Sequence, residues 1–306
     1  MHKVILESAA ILTLLSLAVA TASFVLVNLS PGDPLSTMGG DEPLPPDQVE
    51  RLRTLYGLDR PLLGRYLDFL LAAPTLDYGV SMRFGLPVVE VLRGPILTTL
   101  SLVSLSVAAS AASAWLLWRL GIEARGAIGR VVEGLAFSPS YAYAAAALVL
   151  AYWKLGVVST MPEPTPGKLA LVLTVATLSA TPRLYLVFRR TVEEEFRGRG
   201  HLVTSLRAQG LSESVVRARL AAISAPSLAT QVASQFALTL QAMVFVEPIL
   251  GLPGLGFMLM EAVRSSDVPL LVGAFTAVGL ASVMSNAAGH LAAGLLDPRL
   301  RGEWHG

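Results

Sequence analysis

VPLLVGAFTAVGLASVMSNAAGHLAAGLL, residues 268–296, runs for 29 positions without Asp, Glu, Lys or Arg, bracketed by Asp267 and Asp297. A helix rises about 1.5 Å per residue against about 30 Å of hydrocarbon, so about 20 apolar residues cross a bilayer. The stretch exceeds that length and reads as a membrane-spanning helix.

Four more stretches pass the same test. Glu7 to Asp33 and Arg93 to Arg119 each enclose 25 uncharged residues, Glu133 to Lys154 encloses 20, and Arg219 to Glu247 encloses 27. Leu169 to Phe188 passes apart from Arg183. Six transmembrane helices are therefore predicted, over roughly residues 9–29, 96–118, 134–153, 168–188, 228–250 and 269–294. They are rich in small residues, as at 108–113 (AASAAS), and small residues let helices pack closely in lipid. The first span could be mistaken for a cleaved leader ending at Ala18-Val19-Ala20, but its apolar run continues to Leu29, so an uncleaved helix is expected. The fold class is an all-α membrane protein.

Composition agrees. Charged residues make up 15% of the 306 positions, where about 25% is usual in soluble domains, and the mean hydropathy is +0.61. A soluble enzyme and a disordered chain are both excluded. A net charge of +1 gives no field for nucleic acid. The absence of cysteine removes disulfides, thiolate metal sites and cysteine nucleophiles. None of the lysines (Lys3, Lys154, Lys168) precedes Ser or Thr, so no Walker A phosphate loop is present. No Gly-x-Ser-x-Gly elbow or His-Glu-x-x-His pair appears, which argues against an intramembrane enzyme. No internal repeat appears, and apart from Lys168 and Glu247 near span ends Arg183 is the one charge inside a predicted span, which argues against a stand-alone secondary transporter.

Orientation follows from Lys and Arg in the loops. With the N-terminus inside, the inside segments hold 13 basic residues and the short outside loops hold three: Lys154, Lys168 and Arg264. Both termini are expected in the cytoplasm. The long loop 30–95 is then external. It is too polar for lipid and too patterned for a linker, with an amphipathic run at Leu62 to Leu71, and is expected to fold as a small external subdomain. The cytoplasmic segment 189–225 is basic and reads as helix, turn at Gly210, then a second helix capped by Ser212 with Val215, Val216, Leu220 and Ile223 on its apolar face. A plain solvated loop is the competing reading. Pro31, Gly32, Asp33 and Pro34, with Pro253, Gly254 and Gly256, read as structural turns rather than ligand contacts.

These segments together resemble the membrane permease subunits of dipeptide and oligopeptide ABC importers, the subunit type with a large external loop after helix one. The matching pieces are Pro31-Gly32-Asp33-Pro34, residues 56–61 (YGLDRP), 77–81 (DYGVS), 85–88 (GLPV), 208–213 (AQGLSE), Glu247, 252–256 (LPGLG), Asn286 and 297–301 (DPRLR). The sequence departs from the family's pattern at Leu206, Pro226 and His290. The resemblance implies a six-helix type I importer transmembrane domain: residues 1–29 as first helix, 30–95 as external subdomain, and 96–306 as permease core with a coupling loop at 189–225. It further implies a second homologous permease subunit, two cytoplasmic ATP-binding cassette subunits that hold ATP and Mg, and an external solute-binding protein. The chain itself would hold no cofactor and no metal and would catalyse nothing. Oligosaccharides or nickel chelates are the alternative cargo. The coupling contact would involve Ser205, Leu206, Arg207, Ala208, Gly210, Leu211, Ser212 and Glu213.

Polar groups within spans are expensive and so are candidates for the translocation path. Gln235, Thr239, Gln241, Glu247, Asn286 and His290 form that set, with ordinary interhelical hydrogen bonding as the plainer account. Glu247, beside Pro248, also reads as a brace at its end of the span, and Arg183 as a side chain reaching for the interface.

Overall fold

A computed structural model describes residues 14, 17, 18, 21, 22, 24, 25, 45–55, 57–72, 77–120, 126–150, 163–198 and 200–296. Two short helices come first, α1 (Pro46–Leu55) and α2 (Leu62–Ala72). Then follow α3 (Val88–Arg119), α4 (Gly126–Phe137), α5 (Ser140–Leu150), α6 (Pro166–Gly198) and α7 (Gly200–Ala208). The last three are α8 (Glu213–Leu250), α9 (Leu255–Arg264) and α10 (Val268–Leu296). Among the described residues there is no strand, only a bridge between Val80 and Pro87.

Among the described residues four helices, α3, α6, α8 and α10, are long and apolar enough to cross a membrane. They pack through one core built from Leu102, Val103 and Val107 of α3, Val172 and Val175 of α6, and Leu240, Met243 and Val246 of α8. Their outward faces are as apolar as their cores: Leu97, Leu178, Phe245, Met284 and Leu295 are all more than half exposed. Such faces suit lipid rather than water. α10 crosses α8 where Gly289 meets Ala233 so closely that an added Cβ would overlap the Ala233 Cβ.

α10 begins directly after Asp267, at the start of the charge-free stretch 268–296. Three expectations need correction. Span 134–153 is not one helix: α4 and α5 are separate, broken at Ser138 and Pro139, because Pro139 cannot continue the hydrogen-bond ladder. The break leaves carbonyls that side chains recover. Ser138 Oγ donates to Gly134 O (2.8 Å), Tyr143 OH to Leu135 O (2.7 Å), and Arg183 Nη2 to Ala136 O (3.2 Å). Arg183 thus reaches across to a neighbouring helix end. Second, the helix expected after Ser212 and the span 228–250 are a single helix, α8, with Pro226 inside it. Third, Val215 is exposed, although Val216 and Leu220 of the same predicted face are fully buried. The helix α3 also begins at Val88, within the stretch 30–95.

The first predicted span lies largely outside the described residues; Leu14, Leu17, Ala18, Thr21, Ala22, Phe24 and Val25 are helical. Phe24 meets the rings of Tyr66 and Phe69 at 5.4 Å each, and Thr21 Oγ1 hydrogen-bonds Tyr66 OH at 2.9 Å. α2 is therefore fastened to the end of that span. A tight loop at 79–87 enters α3: Ser81 N donates to Leu86 O and Val88 N to Gly79 O. Its anchor is buried Asp267, the N-cap of α10. Asp267 Oδ1 accepts from Leu270 N, while Oδ2 accepts from Ser81 Oγ (2.5 Å) and Arg83 N (3.0 Å). Arg83 also pairs with Glu261 of α9 at 2.5 Å.

Candidate functional site

The two ends of α8 carry most of the residues singled out in the sequence. At its start, α6, α7 and α8 meet. α7 ends in a Schellman motif: Gly210 N donates to Arg207 O (2.9 Å), Leu211 N donates to Leu206 O (3.4 Å), and Gly210 is left-handed at φ +75°. The apolar contact that accompanies this motif is present, because Leu211 packs on the cluster of Val192, Val203, Leu206, Val216 and Leu220. Across the turn, Arg207 Nε and Nη2 donate to the two Glu213 oxygens at 2.8 and 3.3 Å. Ser212 sits at the N-cap of α8, but its hydroxyl bonds Ser214 Oγ rather than a backbone amide.

The arrangement sorts the coupling candidates. Ser205, Arg207, Ala208, Gly210, Ser212 and Glu213 are exposed, whereas Leu206 is turned inward and fully buried, and Leu211 is half-buried. The presented face is therefore small and polar, and the leucines hold it in place from behind. Leu206 is an anchor of α7, not part of its outer face.

At the other end of α8, Gly251 takes a left-handed conformation (φ +63°), and Leu252 N donates to Glu247 O (2.9 Å). Glu247 is fully buried. Its Oε1 accepts from Thr99 Oγ1 of α3 (2.6 Å) and its Oε2 from Gly256 N (2.7 Å), while Leu255 N donates to Thr99 Oγ1 (2.8 Å). Lys168 of α6, also buried, donates from Nζ to Gly251 O at 3.2 Å. Gly254 and Gly256 have ordinary negative φ. They are glycines for proximity: an added Cβ would overlap the Glu247 carboxyl group at Gly254, and the Met243 carbonyl and Val244 Cα at Gly256. Gly251 is the residue whose conformation makes the turn. Pro31, Gly32, Asp33 and Pro34 lie outside the described residues.

The path candidates are not gathered in one place. Gln235 and Thr239 are buried and bonded to each other, Gln235 Nε2 donating to Thr239 Oγ1 at 3.1 Å. Gln241, Asn286 and His290 are exposed on the single chain. Asn286 Nδ2 donates to Ser282 O, and Ser234 Oγ approaches Asn286 Oδ1 at 3.5 Å. Ser285 Oγ donates to Ala233 O nearby. The α8–α10 crossing therefore carries a polar strip, and Glu247 is engaged away from it. Sequence reasoning passed over Thr99, Lys168 and Asp267. Only Asp267 left a signal, an N-cap residue directly before an apolar run.

A family model described as binding-protein-dependent transport system inner membrane component matches residues 62–302. The chain is similar to the metal-staphylopine import system permease protein of Staphylococcus aureus, at 24% identity over 98% of this chain and 99% of the relative. It is also similar to a putative peptide transport system permease protein of Brucella abortus, at 28% identity over 93% and 94%. A probable peptide ABC transporter permease protein of Sinorhizobium fredii is 25% identical over 91% and 92%.

Proposed function

Since the chain belongs to the family of binding-protein-dependent transport system inner membrane components, matched over residues 62–302, we propose that it carries di- or oligopeptides across the membrane as the permease subunit of an ATP-driven importer. The observation that carries the peptide reading is the end-to-end likeness to relatives named as peptide permeases, above 90% of both chains. A metal chelate is the second reading, favoured by the likeness to a metal-staphylopine permease over 98% of this chain. ATP hydrolysis is assigned to two cytoplasmic partner subunits, and solute capture to an external binding protein. A second permease subunit completes the path at the α8–α10 crossing, with Gln235, Thr239 and Gln241 of α8 and Asn286 and His290 of α10 as its candidates and Glu247 bracing the end of α8 away from the strip.

In this reading both termini are cytoplasmic, as the 13-to-3 basic bias argues, and the chain divides into a first helix (1–29), an external subdomain (30–95) and a permease core (96–306). The α7 turn is the coupling contact, supported by its exposed small residues and its anchoring to both α6 and α8. The test is uptake of labelled peptides into vesicles holding the assembled complex and its binding protein. Uptake that needs ATP and the binding protein is expected. A binding protein that retains only metal chelates, with no peptide uptake, favours the second reading; uptake by this chain alone sinks both.

A further inference from the structure

Between the end of α3, the middle of α6 and the first half of α8 lies a groove of about 770 Å³. It is lined by Arg119, Arg217 and Arg219 together with Trp115, Trp118 and Phe188. Trp118 and Phe188 pack against each other at 5.2 Å. Deeper along the same three helices a smaller cleft of about 70 Å³ continues past Ala111, Ala114, Leu184, Val187 and Val232. Phe188 and Leu228 line both spaces. Read along α3, the lining passes from arginine through tryptophan to alanine between residues 119 and 111, a rise of about 12 Å.

Among the described residues no carboxylate pairs with these three cations. Glu213 lies one turn before Arg217, the spacing for an ion pair, but both its oxygens are taken by Arg207. Arg217 and Arg219 make no ion pair or hydrogen bond among the described residues, and Arg119 stands over the Trp115 ring at 5.2 Å. Three guanidinium groups on one face, two of them exposed and one half-buried, form a cationic cluster that attracts an anion at headgroup depth. The anion also carries an apolar body, because the wall and the cleft below it are mainly apolar, with Ser214 and Gln231 the uncharged polar residues in their lining. Tryptophan and arginine together at the end of membrane-spanning helices are the pairing found at headgroup depth.

We propose that this groove binds one anionic phospholipid, its phosphate on Arg119, Arg217 and Arg219 and an acyl chain running past Phe188 and Leu228 into the cleft. The inference needs only that the chain spans a membrane; it does not depend on the cargo or on the direction of transport. The test is native mass spectrometry of the full chain, extracted from vesicles of phosphatidylglycerol mixed with phosphatidylcholine of matched acyl chains. One phosphatidylglycerol per chain is expected to survive extraction, and each arginine changed to glutamine should lower its retention roughly fivefold. Ala222→Phe, which fills the groove and leaves the arginines in place, should also expel it. Melting followed by circular dichroism identifies any variant that fails to fold, and the single variants R217Q and R219Q then carry the test. Equal retention of the two lipids overturns the proposal. So does unchanged retention in R119Q/R217Q/R219Q or in Ala222→Phe. Inorganic phosphate held where phosphatidylglycerol is not also overturns it, as does a lipid-free dimer formed through this face.

Discussion

Glycine serves two different physical needs in this chain, and the difference is measurable. Gly210 has open space around its Cα and needs only its left-handed φ of +75°. Gly210→Ala should therefore cost about 1–2 kcal/mol, the left-handed strain of an L-residue. Gly256 is unstrained, but backbone atoms of Met243 and Val244 occupy the place of a Cβ. Gly256→Ala should cost about 1–3 kcal/mol through overpacking, with the damage placed at the α8–α9 contact. Melting of the full chain in detergent gives the totals, and hydrogen exchange gives the place. Protection lost around Val244 in the Gly256 variant but not in the Gly210 variant is the expected pattern. Glu247 allows a second prediction. Removing its carboxylate strands the Thr99 hydroxyl and the Gly256 amide, two buried donors, at about 1–3 kcal/mol each. Glu247→Ala should melt markedly lower than Gln241→Ala, whose side chain is exposed on the single chain; equal melting would refute the brace. The sequence makes Glu247 conspicuous because a carboxylate in an apolar run is rare. It cannot show the partners, because Thr99 is 148 residues away and reads as one more small residue of its span.

Helices were legible where charge marks both ends, and misread where hydropathy and backbone geometry part company. Hydropathy reports where lipid stops, not where a helix stops. α10 begins directly after Asp267, one residue from its expected start, but α6 runs ten residues beyond the expected Phe188, to Gly198. α8 joins the helix expected after Ser212 to the span expected from 228, with Arg217, Arg219 and Pro226 inside it. In the structure Pro226 removes one amide, and the rest of the ladder carries α8 across it. At 38 residues α8 is about 57 Å long, far more than the hydrocarbon needs, so the turn at Gly210 stands well clear of the lipid. The break between α4 and α5 was the opposite failure. Pro139 was visible, but the remedy was not, because it depends on Arg183 and Tyr143 lying over the freed carbonyls. Arg183→Met should leave Ala136 O without its donor and loosen the break. The expected outcome is faster hydrogen exchange over residues 134–145, with protection of α10 unchanged. Arg183→Lys should restore part of it, since an ammonium keeps a donor without the guanidinium's reach.

The molecule as a whole has one rigid end and one extended end, and a transport subunit needs both. At the rigid end, Asp267, Glu247 and Lys168 tie α3, α6, α8, α9 and α10 together through buried hydrogen bonds. At the other end, α6 and α8 project together and are joined by α7, with a small apolar cluster behind it. Fusions of reporter enzymes test the sidedness: Glu123 and Arg197 should read cytoplasmic, Asp47 and Pro164 external. Asp47 reading cytoplasmic would invert the scheme. On the proposed reading, energy reaches this chain through a contact with a partner subunit. The α7 turn is suited to receive it. Its exposed face holds the small residues Ser205, Ala208, Gly210 and Ser212 beside the Arg207–Glu213 pair, and Leu206 and Leu211 pack on residues of α6 and α8, which on the proposed reading would pass a push on α7 to both long helices. A bulky side chain at Gly210 should leave insertion and the rigid end intact, since no atom lies within 4 Å of its Cβ position. Gly210→Trp in the assembled complex should therefore keep binding-protein docking but lose uptake, with ATP hydrolysis either unstimulated or released from control. Normal stimulated hydrolysis together with normal uptake would show that force enters elsewhere. Leu206→Ala supplies the contrasting arm. It leaves the outer face unchanged but weakens the anchor, so partner subunits should still bind while hydrolysis no longer drives transport.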